Sequence, residues 1–315
     1  MSDRLPPLTA LRAFDAAARH MSFSKAAAEL NVTPAALSFQ IKSLEEHMDA
    51  PLFRRLNRAV ELTDAGKALA PGAADGFTAL ASAWRAAKRT VDQKSLTVTA
   101  GPAFTAKWLA PRLFKFAMAY PDIELRFSAT LRLMDFARDD VDVAIRFGMA
   151  RDEPGLTAKP IIKEWVTPMM TPELAETYQT PADLARAPLL HQDDTRFLKP
   201  AVDWPAWFRA AKLPPRFAAG ARFSQADHAI DAALAGAGVV LARISLVEKD
   251  LKEGRLVMPF KLGLTTEAQY SFVCPEGSDA RPQVRAFREW IEAEVSALDE
   301  YRDGMDFVDA AEVEI

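Results

Sequence analysis

The 315-residue sequence contains one cysteine, Cys274, which excludes an internal disulfide and fits a reducing compartment. No apolar stretch reaches the roughly 18 to 20 residues of a membrane span. The opening MSDRLPPLTALRAF has no uninterrupted apolar run of the export-signal kind, so a cytoplasmic protein with no membrane contact is expected. The four histidines, His20, His47, His191 and His228, show neither HxxxH nor HExxH spacing, and Cys274 has no second thiol, so no metal site is expected. Also missing are a GxSxG elbow, a phosphate loop and a glycine-rich dinucleotide fingerprint. LAGAGVV imitates the last only superficially, because its glycines precede a strand and do not follow one. These absences argue against an enzyme and against a bound cofactor.

Charge of one sign is scarce as well. The formal net charge of −4 is set by the end of the chain, where seven acidic residues from Asp299 to Glu314 face only Arg302. The rest is close to balanced, so local clusters must decide what the protein binds. Half the residues are hydrophobic, and the length suggests two or three domains.

Three helices are expected in the first 50 residues. The first starts after Pro6 and Pro7 with Leu8, Leu11, Phe14 and Ala18 in helical spacing. Ser22 suits the N-cap of the second, whose Phe23, Ala27 and Leu30 share a face. After the short Asn31–Val32–Thr33 link, Thr33 can cap the third helix with Pro34 at its first position, where the missing N–H costs nothing. Two short helices joined by about three residues outline a helix-turn-helix, whose second helix enters the DNA major groove. Leu37, Ile41, Leu44 and Met48 form the apolar stripe of that helix, and Phe39 lies about 160–180° from it. PLFRRLNRAVELT then suits a hairpin wing carrying Arg54, Arg55 and Arg58, either a phosphate contact or a solvated turn.

Residues 64–90 are alanine-rich and helical in composition. Leu69, Phe77, Leu80 and Trp84 are spaced to pair with a second copy, and a bend is expected at Pro71. Beyond Lys94 strands alternate with helices: SLTVTA, IELRFSA and VDVAIRFG as strands, AFTAKWLAPRLFKFAMAYP as a helix and LMDFARDD as a short helix. PIIKEWVTPMM, PLLHQ, RFAAGARFS, GVVLA and AQYSFVCPE read as further strands, with helices near 182–186, 204–211, 225–236, 243–253 and over RPQVRAFREWIEAEV. The acidic end, DEYRDGMDFVDAAEVEI, is expected to be frayed.

With these parts in this order, the chain resembles the LysR-type transcriptional regulators, in the branch of the glycine-cleavage activators. The stretches that carry the resemblance are LPPLTALRAFDAAARHMSFSKAAAELNVTPAALSFQIKSLEEHMDAPLFRR, ELTDAGKALAP, LTVTAGPAFTAKWLAPRL, HAIDAALAGAGVVLARISLVEKDL and GRLVMPF. The resemblance implies a multidomain protein: an all-α winged helix-turn-helix over 1–65, a linker and dimerisation helix over 66–93, and an α/β effector domain of two Rossmann-like halves. These halves would be 94–167 with 268–297, and 168–267, leaving 298–315 as an acidic tail. It also implies double-stranded DNA, RNA polymerase and a small-molecule effector as partners, and a homodimer or homotetramer. The rival class is a solute-binding or enzymatic α/β protein with an unrelated helical domain, opposed by the missing export signal and missing nucleophile or metal constellation.

For DNA the expected contacts are Thr33, Pro34, Ala35, Ser38, Phe39, Gln40 and Lys42 on the third helix, with Arg54, Arg55 and Arg58 on the wing. The family usually places a polar or basic residue after the serine of this helix, and here Phe39 stands there. A phenyl ring can pack on a thymine methyl, or it can brace the wing or a dimer partner. For the effector, ligands in such sheets sit beyond the carboxyl ends of strands. That points to Pro102, Ala103, Phe104 and Thr105, to Thr130, to Arg146 and Phe147, and to Ser224, Gln225 and His228, each a ligand contact or an ordinary cap or hinge residue.

Overall fold

The computed structural model describes residues 5–55, 60–91, 94–136, 139–150, 152–215 and 220–313. The chain divides into two compact units, Met1–Arg89 and Thr90–Ile315.

In the first unit, α1 (Leu8–His20), α2 (Phe23–Glu29) and α3 (Pro34–Met48) close around Phe14, Ala17, Ala26, Ala27, Leu37, Ile41 and Leu44. The alanines let the helix axes approach, so the core is small and tight. Leu8, placed on the apolar stripe by its spacing, is exposed, and Ala10 and Ala13 take the buried positions of α1. Antiparallel β1 (Phe53–Arg55) and β2 (Val60–Leu62) form the wing, with Arg54 opposite Glu61. Phe53 anchors it between the rings of Phe14 and Phe23, at centroid distances of 5.4 and 5.2 Å. The Glu45 side chain accepts from the backbone N–H of Leu52 and Phe53, at 2.8 and 3.2 Å, and ties α3 to the wing. The long helix α4 (Asp64–Val91), with Pro71 inside it, starts where Thr63 accepts from Gly66 N–H at 3.1 Å. Gly66 is required there, because a Cβ would stand 2.3 Å from the Leu52 carbonyl oxygen.

The second unit holds β3 (Ser95–Ala100), then α5 (Pro102–Phe104), a π turn at Thr105–Leu109, a 3-10 turn at Ala110–Arg112 and α6 (Leu113–Ala119). The expected helix with its internal proline forms as one helical run, and near Pro111, which has no N–H to donate, it passes through π and 3-10 turns. Next come β4 (Glu124–Ala129), β5 (Val143–Gly148), β6 (Leu156–Met169), α7 (Pro172–Thr177), β7 (Leu189–Gln192), α8 (Trp204–Ala210) and β8 (Arg222–Phe223). α9 (Ala226–Leu234), β9 (Val239–Arg243), α10 (Ile244–Lys252), β10 (Leu262–Pro275), α11 (Pro282–Val295), β11 (Asp306–Asp309) and α12 (Ala310–Val313) complete it. The sheet order is β4-β3-β5-β10-β6-β9-β7-β8, with β11 added beside β10. β3 is parallel to β4 and β5, and β9 and β8 are parallel to β7. Long antiparallel β6 and β10 pass through both groups and join two Rossmann-like halves.

Three expectations are corrected. LMDFARDD contains no helix in its described part; a single turn is closed there by Asp139 N–H donating to the Asp135 carbonyl at 2.7 Å, while the Asp139 carboxylate accepts from Asp135 N–H at 2.9 Å and from Arg132 at 2.8 Å. Among the described residues of RFAAGARFS only Arg222–Phe223 is strand; residues 216–219 of that expected strand lie outside the described residues. The acidic end is ordered. β11 pairs in parallel with Leu262–Thr265, Phe307 packs edge-on against Trp165 at 5.2 Å, and Leu298 and Ala310 are buried. Its acid count hid apolar anchors, Leu298, Met305, Phe307, Val308 and Ala310 among them, that pack against the cores of the unit.

Candidate nucleic-acid interface and effector cleft

The third helix forms as its sequence dictates. Thr33 Oγ1 accepts from Ala36 N–H at 3.1 Å and Pro34 takes the first position. With Leu37, Ile41 and Leu44 buried, the opposite face presents Pro34, Ala35, Phe39 and Lys42 to solvent, with Ser38 and Gln40 half-buried at its edge. Phe39 is 68% exposed and takes no part in the domain core, so the domain's own packing does not explain its ring. Lys42 forms only a loose pair with Glu46 at 3.7 Å and keeps its charge in water. Arg54 is exposed on β1; Arg58 and the side chain of Arg55 lie outside the described residues. Behind this surface Glu29 accepts from Arg19 at 2.6 Å and contacts His20 at 2.5 Å. Chiefly the Arg19 hydrogen bonds hold its carboxyl down to about 2, and the cluster clips α2 to the end of α1.

In the second unit the expected effector residues separate into three groups. Around α5, Ala103 and Phe104 are buried, and Phe104 packs on Trp108 at 5.0 Å and on Tyr270 at 4.3 Å. Phe104 is therefore a core residue. Pro102 and Thr105 stay half-open, with Thr105 Oγ1 donating to the Gly101 carbonyl at 2.9 Å. At α9, Ser224 and His228 are exposed and Gln225 half-exposed, and α9 packs against α5, so both turns border the junction of the halves. Two ion pairs cross that junction, Lys107 to Asp231 at 2.5 Å and Arg112 to the buried Glu248. Thr130 and Arg146 meet, because the Arg146 guanidinium donates to the Thr130 carbonyl at 3.2 Å. Phe147 lies on the other face of β5, 5.0 Å from Tyr270 and beneath the guanidinium of Arg243 at 4.5 Å.

Sequence reasoning missed the buried polar group around Arg243. Arg243 is almost fully buried and pairs with Asp194, while buried Glu164 accepts from Ser245 Oγ. Burial raises the Glu164 carboxyl to about 7, against the pull of the Ser245 hydrogen bond and of Arg243. Burial also raises Tyr270. Among the described residues, Arg243 Nε, Asp194 Oδ1 and Gln192 Oε1 have no hydrogen-bond partner. Gln192 and Arg243 border a cavity of about 250 Å³ that Thr195, Arg196 and Arg222 also line. The signal was present: Asp193–Asp194 directly follows the strand PLLHQ, and Arg243 ends GVVLA, both at carboxyl ends of strands.

An N-terminal helix-turn-helix with a wing, followed by a doubled α/β domain, has counterparts among known proteins. The bacterial regulatory helix-turn-helix family of lysR type matches residues 8–67, and the LysR substrate binding domain matches residues 89–296. The chain belongs to the LysR family of transcriptional regulators. It is 40% identical to the glycine cleavage system transcriptional activator of Escherichia coli strain K12 over 304 residues, covering 95% of this chain and 97% of that protein. To the transcriptional activator AmpR of Pseudomonas aeruginosa it is 36% identical over 287 residues, covering 90% and 94%. The solved effector domain of that AmpR overlays with a TM-score of 0.54 at 30% identity, covering 66% of this chain and 98% of that one. This LysR-type protein is a DNA-binding regulator with an effector-binding domain, and is not an enzyme. Among its described residues no helix is long and apolar enough to cross a membrane, and no group of acids, histidines and cysteine is gathered to hold a metal ion.

Proposed function

We propose that this regulator is a cytoplasmic transcription factor whose α3 reads the major groove and whose effector is held between the two halves of the α/β domain. The observation that carries the first part is the solvent face of α3, where Pro34, Ala35, Phe39 and Lys42 stand free above a buried stripe. Ser38 and Gln40 flank that face, Thr33 fixes its start, and Arg54, Arg55 and Arg58 on the wing supply phosphate contacts. Phe39 takes a thymine methyl, since its ring finds no place in the domain core.

For the effector, the reading rests on the half-open turns Pro102–Thr105 and Ser224–His228, which border the junction beside the incompletely bonded Arg243, Asp194 and Gln192. The halves divide at 167/168 and 267/268. β6 exchanges β10 for β9 as its partner at Val166, and β10 shifts register between Thr265 and Gln269. The tail belongs with the second half, since β11 and α12 lie against the start of β10 and against α8. Leu80 and Trp84, both more than half exposed on α4, supply a dimer contact between two copies, and RNA polymerase is the partner at the promoter.

The name of the glycine-cleavage relative makes promoters of glycine-cleavage genes the first DNA to test. A thermal-shift screen of amino acids, carboxylic acids and sugars on the full chain tests the cleft. A ligand that raises the melting temperature of the wild type, and not of a Thr105→Val, Ser224→Ala double variant, supports it. A ligand whose shift survives both changes places the effector elsewhere.

A further inference from the structure

We propose that the acidic end of the chain, from Ser296 onward, is a strap that crosses the joint between the two halves of the effector domain and restrains their rotation. The inference rests on the division of the halves given above. With that division the chain passes between them first in β6 and again in β10. These two strands pair side by side across the joint, Val166 opposite Leu264 and Lys163 opposite Gln269. A two-stranded ribbon bends and twists, so a joint made of it alone acts as a hinge.

The end of the chain makes a third crossing. α11 belongs to the first half, where Val284, Phe287 and Ile291 share a core with Leu96 and Val98 of β3 and Val143 of β5. The 3-10 turns Ser296–Arg302 leave α11 with Leu298 buried in that core, and Tyr301, Met305 and Phe307 pack against it. From Val308 the chain has changed sides. Val308, Ala310 and Val313 pack with Trp204, Trp207 and Phe208 of α8 in the core of the second half. Hydrogen bonds fix this far end: Asp306 N–H donates to the Lys261 carbonyl at 2.8 Å, and Arg209 Nε to the Val313 carbonyl at 2.6 Å.

Phe307 pins the crossing. Its ring lies edge-on to Trp165, next to the residue where β6 takes β9 as its partner, and over Gly263 of β10. A Cβ at Gly263 would stand 2.7 Å from that ring, so the missing side chain leaves the seat open. The Arg302 guanidinium covers the ring at 4.4 Å from its centroid. Beside the pin the strap stands off β6, leaving a groove of about 490 Å³ between Ile162 and Lys163 on one side and Val295, Leu298 and Arg302 on the other. That space gives the halves room to turn once the pin is released, and the grip of the strap sets how readily they rearrange.

The test is hydrogen exchange of the full chain, read by mass spectrometry without effector or DNA. One variant carries six glycine and serine residues inserted between Asp303 and Gly304, both exposed, which leaves Phe307, β11 and α12 unaltered. The link between Arg302 and Asp306 then grows from three residues to nine. Loop closure scales with the three-halves power of length, so exchange across 163–166 and 264–269 is expected to rise about fivefold, with β7 and α8 unchanged. Phe307→Ala removes the pin and adds no length. It is expected to raise exchange about tenfold in the same two segments, and keeps the test open should the insertion unfold the tail. An unchanged joint in the insertion variant, or in Phe307→Ala, would overturn the strap, because the tail would then only cap the second half. An equal rise in β3, the joint and β7 would show that the halves move as one body, and would overturn the division on which the strap rests.

Discussion

Glu164 sits on β6 at the joint between the halves, 2% exposed, with Oε1 held by the Ser245 hydroxyl. Its carboxyl is raised to about 7, from an ordinary value near 4.5, because burial penalises the charge more than Ser245 and Arg243 favour it. Between those two values the folded protein holds a proton that the unfolded chain has released. Stability from this group is therefore complete below about pH 4.5 and is lost as pH rises through 7, a loss of about 3 kcal/mol by linkage. Glu164→Gln imitates the protonated side chain. It still accepts from Ser245, and leaving its new N–H groups unmatched costs about 1 kcal/mol. At pH 8 the variant should be more stable by about 2 kcal/mol, or roughly 4–8 °C in the melting transition of the effector unit. At pH 5 it should be equal or slightly weaker. Scanning calorimetry of both proteins at the two pH values is the assay. A variant destabilised equally at pH 5 and pH 8 would show that Glu164 is charged in the fold across this range, and that the Arg243 network stores no such penalty.

Phe39→Ala should leave the fold unchanged and relax preference at one thymine-bearing position of the binding site by about 1 kcal/mol in competition binding; equal weakening on every sequence would assign the ring a structural role. Arg54→Ala should reduce the slope of log affinity against log salt by about 0.9, one phosphate contact, and an unchanged slope would remove it from the interface. Gly66→Ala forces a Cβ to 2.3 Å from the Leu52 oxygen and 2.9 Å from Leu62, so the DNA-binding unit should lose about 1–3 kcal/mol in urea melts. A neutral Gly66→Ala would mean that the start of α4 moves away from the wing without cost.

The parts governed by neighbours in sequence were legible in advance. Thr33 as cap, Pro34 at the first helical position and the stripe Leu37, Ile41, Leu44 are decided within one or two helical turns, and each appears as expected. Met48 is the exception at the end of the helix, 40% exposed. What joins distant segments was not legible. Arg243 and Asp194 lie 49 residues apart and Glu164 and Ser245 lie 81 apart, so no local pattern announces either pair. The same limit explains the tail, whose Phe307 lies over Gly263 and Trp165, partners that composition cannot reveal. Arg146 and Phe147 are adjacent in sequence, yet the two-residue period of a strand sends them to opposite faces.

That α3 reads DNA sequence is tested most directly by a mobility-shift competition. Full-length protein with DNA from upstream of its own gene should give a discrete complex at about 150 mM salt that withstands an excess of unrelated DNA. Binding that is equal on unrelated DNA and vanishes with modest added salt would contradict it.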